Sequence, residues 1–252
     1  MHPPEARKLA LRLLASGLTV REIHRQTGIP RQTLYYWKKD PEKAAARVVP
    51  TCPHCHSRTL DGRPYSYVLG LYLGDGHIVR SRKPEVYRLE ITCADSWPGL
   101  IEEAARALSE VMPGQAIGRR KSTGCTNVGA YSKHWPCLFP QHGPGLKHTR
   151  KIELVPWQQE ITDEFTGDFL RGLIHSDGYR GMNRVKRPVN GEDRWYEYPR
   201  YSFSNRSMDI QRMFTDALDR LGIAWRQMNR WNVSVARREA VARLDEFVGP
   251  KY

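Results

Sequence analysis

The stretch YSYVLGLYLGDGHI, Tyr65 to Ile78, is answered 102 positions later by GDFLRGLIHSDGYR, Gly167 to Arg180. Aligned on the acid, Gly70 matches Gly172, Leu71 matches Leu173, Asp75 matches Asp177 and Gly76 matches Gly178. Each copy reads as an apolar helix with one internal glycine and an acid followed by glycine at its C-terminal end. A glycine inside a helix costs about 1 kcal/mol relative to alanine, so it points to close packing on that face. Two such helices packed through Gly70 and Gly172 would bring Asp75 and Asp177 together at the bottom of the pair. Carboxylates held close repel each other unless a cation sits between them, which is one way to build a divalent-metal site for phosphodiester hydrolysis.

The sequence after each copy also repeats. Beyond Asp75 come a strand pair in HIVRSRKPEVYRLEITCA, a helix in SWPGLIEEAARALSEVM, a second pair in QAIGRRKSTGCTNVGAYS and a short helix from Lys133. Beyond Asp177 come strands in YRGMNRVKRP and RYSFSNRS around a polar loop, then the helix MDIQRMFTDALDRLG, the pair IAWRQMNRWNVSVA and the helix RREAVARLDEFVG. Both halves read αββαββα, an α+β fold of two pseudo-symmetric halves over residues 64–150 and 151–252.

With its two motif copies and their downstream elements, the chain resembles the single-chain LAGLIDADG homing endonucleases over roughly residues 64 to 250. The resemblance implies that the motif helices form the central interface and that two antiparallel sheets form a saddle along a DNA major groove. It further implies that Asp75 and Asp177 bind Mg²⁺ or Mn²⁺, with the backbone carbonyls of Gly74 and Ser176 as added ligands. A monomer with an internal pseudo-two-fold axis follows from the two copies in one chain. Departures from the motif are His175 and Ser176, where small or apolar residues are usual, and Tyr72 and Arg171 within the helices.

Aligning GAYSKHW with VSVARRE sets Lys133 opposite Arg237, so each half would place one cation by the scissile phosphates, for charge stabilisation or for phosphate positioning. The strands are rich in residues suited to DNA. In the first half these are Arg80, Arg82, Lys83, Arg88, Arg119, Arg120 and Lys121; in the second they are Arg180, Arg184, Lys186, Arg187, Arg200, Arg206, Arg226, Gln227, Asn229 and Arg230. Alternate residues of a strand share a face, so a subset of these points toward the groove.

Ahead of the repeat, residues 1–42 read as two or three short helices. Gly17 closes the first, Thr19 caps the second, and Gly28 with Pro30 makes the turn into the third. That third helix, PRQTLYYWKK, carries Arg31, Gln32, Thr33, Tyr36, Lys38 and Lys39, residue types that reach base edges and phosphates. GLTVREIHRQTGIPRQTLYYWKK resembles the helix-turn-helix of resolvases, transposases and small repressors, which implies DNA binding. Residues 43–63 read as a linker or small zinc knuckle.

The 252-residue chain has 40 Lys and Arg against 27 Asp and Glu, a net charge of +13. This excess makes a polyanion the first partner to consider. No stretch approaches the roughly 18 apolar residues of a spanning helix, and the N-terminus lacks a signal-peptide pattern, so the expected location is cytoplasmic, on the nucleoid. Five cysteines argue against a disulfide framework. Cys52-Pro-His-Cys55-His56 fits a haem-attachment pattern, but that chemistry needs export. Cys52 and Cys55 instead form half of a zinc site that residues among His134, Cys137, His142 and His148 would complete, with Cys137 and His142 the first choices; reduced thiols are the other reading. Cys93 and Cys125 read as packing residues, and Trp135, Trp157, Trp195, Trp225 and Trp231 as core or rim packing rather than base-stacking platforms.

The function implied is sequence-specific, Mg²⁺-dependent cleavage of double-stranded DNA. The alternative is a regulator that kept the scaffold and ceased to cut, which the added helix-turn-helix favours. Retention of two mutually repelling carboxylates favours the nuclease. An RNA maturase would use the same fold, but the helix-turn-helix argues for duplex DNA.

Overall fold

A computed structural model of the chain describes residues 4–46, 52, 54–55, 59–83, 85–189 and 191–252. The chain forms two compact units, Met1–Thr51 and Cys52–Tyr252.

In the first unit, α1 (Pro4–Ala15), α2 (Val20–Thr27), α3 (Arg31–Lys39) and α4 (Pro41–Ala46) pack around Ala10, Val20, Ile23, Ile29, Leu34, Trp37 and Ala44. Thr19 and Glu22 form a reciprocal capping box at the start of α2: the Glu22 amide donates to Thr19 Oγ1 at 3.3 Å and the Thr19 amide to Glu22 Oε2 at 2.8 Å. Gly28, at φ +69°, ends α2 in the left-handed conformation that glycine adopts without cost. The last helix, α4, falls where a linker was expected. Asp40 caps it by accepting from the Lys43 amide at 3.0 Å, and Ala44 enters the core, so tertiary burial holds a segment too short to be helical alone.

The second unit opens with α5 (Gly62–Leu73), β1 (Gly76–Arg80), β2 (Tyr87–Ala94), α6 (Pro98–Val111), β3 (Gly118–Ser122), β4 (Cys125–Ser132) and α7 (Trp135–Leu138). A helix absent from the sequence reading, α8 (Pro156–Glu164), precedes the second half: α9 (Thr166–Asp177), β5 (Gly178–Val189), β6 (Glu192–Ser204), α10 (Met208–Arg220), β7 (Arg226–Asn229), β8 (Asn232–Val235) and α11 (Arg238–Asp245). Two antiparallel sheets result, with matching orders β1-β2-β4-β3 and β5-β6-β8-β7. Each half is αββαββα, as the repeat predicts. The polar loop expected in the second half is instead largely strand: β5 and β6 pair from Gly178↔Phe203 to Val189↔Glu192.

Helices α5 and α9 pack side by side at the centre of a single apolar core, and nearly every residue of α5 is buried. Their crossing is set by glycine. A Cβ on Gly70 would lie 2.6 Å from the Phe169 carbonyl oxygen and 2.7 Å from the Leu173 nitrogen, while one on Gly172 would collide with the Tyr67 carbonyl. The two backbones therefore touch, an approach that only glycine permits.

The unusual polar residues of the second motif have partners across this interface. Arg171 ion-pairs with the buried Glu103 of α6 and donates through Nε to the Val248 carbonyl at 3.0 Å. His175 Nδ1 lies 2.9 Å from the Tyr67 hydroxyl. Burial, and then the Arg171 charge, hold His175 down to about 4, so the ring is neutral at pH 7. Tyr72 is core, with its ring 4.8 Å from that of Phe139. Arg171 and His175 thus serve the packing of the two halves, while the Tyr72 ring also lies under Lys147 Nζ at 5.0 Å.

Candidate active site and nucleic-acid interface

Asp75 directly follows the last turn of α5, at Gly74, and Asp177 ends α9. The helix crossing brings these ends together: a Cβ on Gly74 would lie 3.0 Å from Asp177 Oδ2. Asp75 keeps an exposed edge and Asp177 is half-buried, yet the surrounding protein mass raises both carboxyls. Asp75 is raised against the opposing pull of Lys251 and Lys147. Asp177 is pushed up to about 6, by burial first and by the Asp75 charge second, despite a 2.6 Å hydrogen bond from the Asn205 side-chain amide. The negative ends of two helix dipoles converge at the same point, so the site carries a concentrated need for positive charge.

Two lysines meet that need symmetrically. Lys147 Nζ donates to the last-turn carbonyls of α5: Tyr72, Leu73 at 3.0 Å and Gly74 at 2.7 Å. Lys251 Nζ does the same for α9, donating to Ser176 at 3.3 Å and to Gly178 at 2.7 Å. Burial pulls Lys147 down to about 8, while Asp177 and Asp75 hold it up; burial lowers Lys251 likewise. Each lysine arrives on a segment well beyond the last strand of its half, so matching strand ends could not reveal them.

The cations predicted from strand ends make contacts of their own. Lys133 is exposed and pairs with Glu85 at 3.0 Å. Arg237, also exposed, caps α11 and lines a groove with Tyr198, Arg200, Arg226 and Met228. Asn205 was also missed. Register makes Cys93 its counterpart in the first half, because Gly76↔Ile91 corresponds to Gly178↔Phe203. Cys93 is buried, and burial followed by the Asp75 charge pushes its thiol up to about 12. The two acids thus have unlike neighbours, an amide donor at one and a thiol at the other.

The donor set fits a small divalent cation. Two carboxylates and the Gly74 and Ser176 carbonyls are hard oxygen ligands of the kind Mg²⁺ or Mn²⁺ takes.

Register also decides which basic residues share the sheet faces left open by the helices. In β2, Leu89, Ile91 and Cys93 enter the core, so Arg88, Glu90 and Thr92 point away from the helices. On that open face the buried Glu90 carboxylate gathers Arg88 at 2.7 Å, His77 at 3.2 Å and Arg120 at 3.3 Å. Arg119 and Lys121 alternate onto the helix side, where Arg119 makes a two-point contact with Glu102 of α6 at 3.0 and 2.5 Å. Arg80 lies opposite Tyr87 on the same helix side, and Arg82 is exposed in the turn beyond β1.

The second half repeats this phase. Arg180 lies opposite the buried Tyr201 and pairs with Asp245 of α11 through two 2.7 Å bonds, so Arg184 and Lys186 share the helix side and pair with Glu197 and Asp193. The open face carries Asn183, Arg187, Arg194, Tyr198, Arg200 and Arg226, with Arg187 directly opposite Arg194 and the Asn183 amide donating to the Tyr198 hydroxyl at 2.7 Å. Arg206 lines a cleft with Asp177, Asn205 and Lys147, and Arg206 and Arg230 lie against the Trp231 ring at 5.9 and 4.5 Å. Asn229 shapes its turn, accepting from the Trp231 amide at 2.9 Å. In the N-terminal unit, Arg31, Gln32, Tyr36 and Lys38 are exposed along α3 and Thr33 is half-buried.

Paired glycine-bearing helices ending in acids, flanked by two antiparallel four-stranded sheets, define the LAGLIDADG homing-endonuclease fold. Among solved structures, the chain is similar to I-DmoI in complex with DNA and Mn, at 14% identity over 76% of this chain and 99% of that one, with a TM-score of 0.51. It is also similar to the LAGLIDADG meganuclease I-AabMI bound to uncleaved DNA (9% identity, 73% and 82% of the chains, TM-score 0.47). A third is the homing endonuclease I-WcaI bound to its DNA recognition sequence (13%, 76% and 84%, 0.45). Residues 2–46 match the homeodomain-like domain family. No curated protein sequence matches the chain. No helix of the described residues is long and apolar enough to cross a membrane.

Proposed function

We propose that this protein is a sequence-specific double-stranded DNA endonuclease that acts as a monomer on the nucleoid. The observation that carries the reading is the convergence of Asp75 and Asp177 at the ends of two touching helices, each end held by its own lysine. A binding protein gains nothing from two neighbouring carboxylates that repel each other. The open sheet faces supply the DNA-binding saddle. Arg187 opposite Arg194 is a like-charge pair that a phosphate backbone would relieve. Arg88, Arg120, Arg200 and Arg226 extend the same surface, and α3 adds Arg31, Gln32, Thr33, Tyr36 and Lys38 as a second reader.

Asp75 and Asp177, with the Gly74 and Ser176 carbonyls, would hold Mg²⁺ or Mn²⁺. When bound, the ion polarises a scissile phosphate and lowers the pKa of water. Lys147 and Lys251 neutralise the helix ends and would face the phosphate charge that develops on cleavage. Asn205 orients Asp177 through its hydrogen bond. Arg206 and Arg230, stiffened against Trp231, position the backbone beside the cleft.

The test is incubation with a randomised duplex library and Mg²⁺, with bound and cut fragments sequenced, beside Asp75→Asn and Asp177→Asn. Cutting by the parent protein, lost in both variants while selective binding survives, is the expected result. Selective binding by the parent with no cutting in Mg²⁺ or Mn²⁺ would instead make the protein a regulator on a nuclease scaffold.

A further inference from the structure

The structure assigns a second metal site, independent of the acids: a structural zinc centre formed by Cys52, Cys55, His134 and Cys137. One ligand atom from each lies within 4.8 Å of every other. Cys55 Sγ is 3.3 Å from Cys137 Sγ, and Cys137 Sγ is 4.0 Å from His134 Nδ1. Tetrahedral zinc, with Zn–S near 2.3 Å and Zn–N near 2.0 Å, requires sulfur-sulfur and sulfur-nitrogen separations of about 3.5–3.8 Å. The four atoms therefore surround a zinc-sized centre with little rearrangement.

Local structure supports the assignment. The Cys55 amide donates to Cys52 Sγ at 3.4 Å, an arrangement that turns the two cysteine side chains to the same side of their short loop. His134 caps α7 and Cys137 lies three residues on, so both project from one helical turn. That turn is anchored by the buried Trp135, whose Nε1 donates to the Ala130 carbonyl at 2.8 Å, and by the Tyr65 hydroxyl donating to the Leu138 carbonyl at 2.6 Å. His142, a first choice from sequence, lies outside the cluster, edge-on to Tyr87 at 5.7 Å. Spacing alone could not separate the two histidines; the i, i+3 geometry of α7 does. Three thiolates and an imidazole suit zinc and disfavour Mg²⁺, so the two metal sites are chemically distinct. Bound zinc ties the start of the second unit to the segment that follows β4.

Full-length protein expressed in zinc-supplemented medium and purified by gel filtration should carry stoichiometric zinc by mass spectrometry. Cobalt exchange should produce thiolate-to-cobalt bands and the visible bands of tetrahedral Co²⁺. Zinc should fall at least about tenfold in the soluble Cys55→Ala/Cys137→Ala protein and persist in Cys93→Ser/Cys125→Ser. Parent protein lacking zinc and giving no tetrahedral cobalt spectrum overturns the assignment, as does full zinc retention in the Cys55/Cys137 variant. Neither readout involves DNA cleavage, so failure of the nuclease reading would leave this one standing.

Discussion

Asp177 shows how a single carboxyl couples this site to stability. Its folded-state value of about 6 exceeds its ordinary 3.8, so between these pH values the folded protein keeps a proton that the unfolded chain has lost. Stability from this group is therefore greatest below about pH 4 and declines as pH rises toward 6, by roughly 2–3 kcal/mol. The raised Asp75 acts in the same direction. Without added divalent metal at pH 7.5, Asp177→Asn should unfold at higher urea than the parent by that margin, with the gap closing near pH 4. Added Mg²⁺ should stabilise the parent and leave the variant nearly unmoved. Equal midpoints for the two proteins at pH 7.5 would show that the acids are not held in this strained state. Both acids were legible in the sequence because the motif repeats around them. Lys147, Lys251 and Asn205 were not, since they reach the site from segments that share no spacing with the acids.

At the scale of the strand, alternation shows that every second residue shares a face, and only the core decides which face that is. Arg119 and Lys121 read as well as Arg120 for DNA contact until Val128 and Thr126 of β4, their register partners, turn out to be buried. A signal was available: the apolar Leu89, Ile91 and Cys93 mark one phase of β2 as core and leave Arg88 on the other. Arg120→Ala should weaken DNA binding about tenfold and reduce the salt slope by about one. Arg119→Ala should change affinity by less than about twofold and stability by less than about 1 kcal/mol, since its pairing with Glu102 is exposed. Salt-dependent titrations of the two variants measure both effects, and a larger loss at Arg119 would reverse the assignment of faces. The β5–β6 hairpin offers a similar lesson. Its polar outer stretch read as loop because its residues are mostly exposed on both faces, so no apolar alternation marks them as strand.

At the largest scale, the fold of the second unit depends on the contact of two backbones at Gly70 and Gly172. Adding one methyl at Gly172 drives it into the Tyr67 carbonyl, and neither central helix can withdraw without opening the core on both sides. Gly172→Ala should therefore cost at least about 3 kcal/mol and separate the acids. Denaturant unfolding would report the first effect, and loss of Mg²⁺-dependent stabilisation the second. A variant as stable as the parent would mean that the helices meet elsewhere.

The repeat, read alone, determined the two αββαββα halves and the pairing of their motif helices through glycine, and the caps and turns ahead of it determined the N-terminal helices. They could do so because periodicity, caps and internal glycines are local features that survive in one dimension. Only the tertiary structure decided which lysines hold the helix ends, which arginines face away from the helices, which histidine joins the cysteines, and that Arg171 and His175 serve the interface between halves. Each of those depends on segments distant in the chain arriving at one point, and on which face of each element the shared core has already claimed.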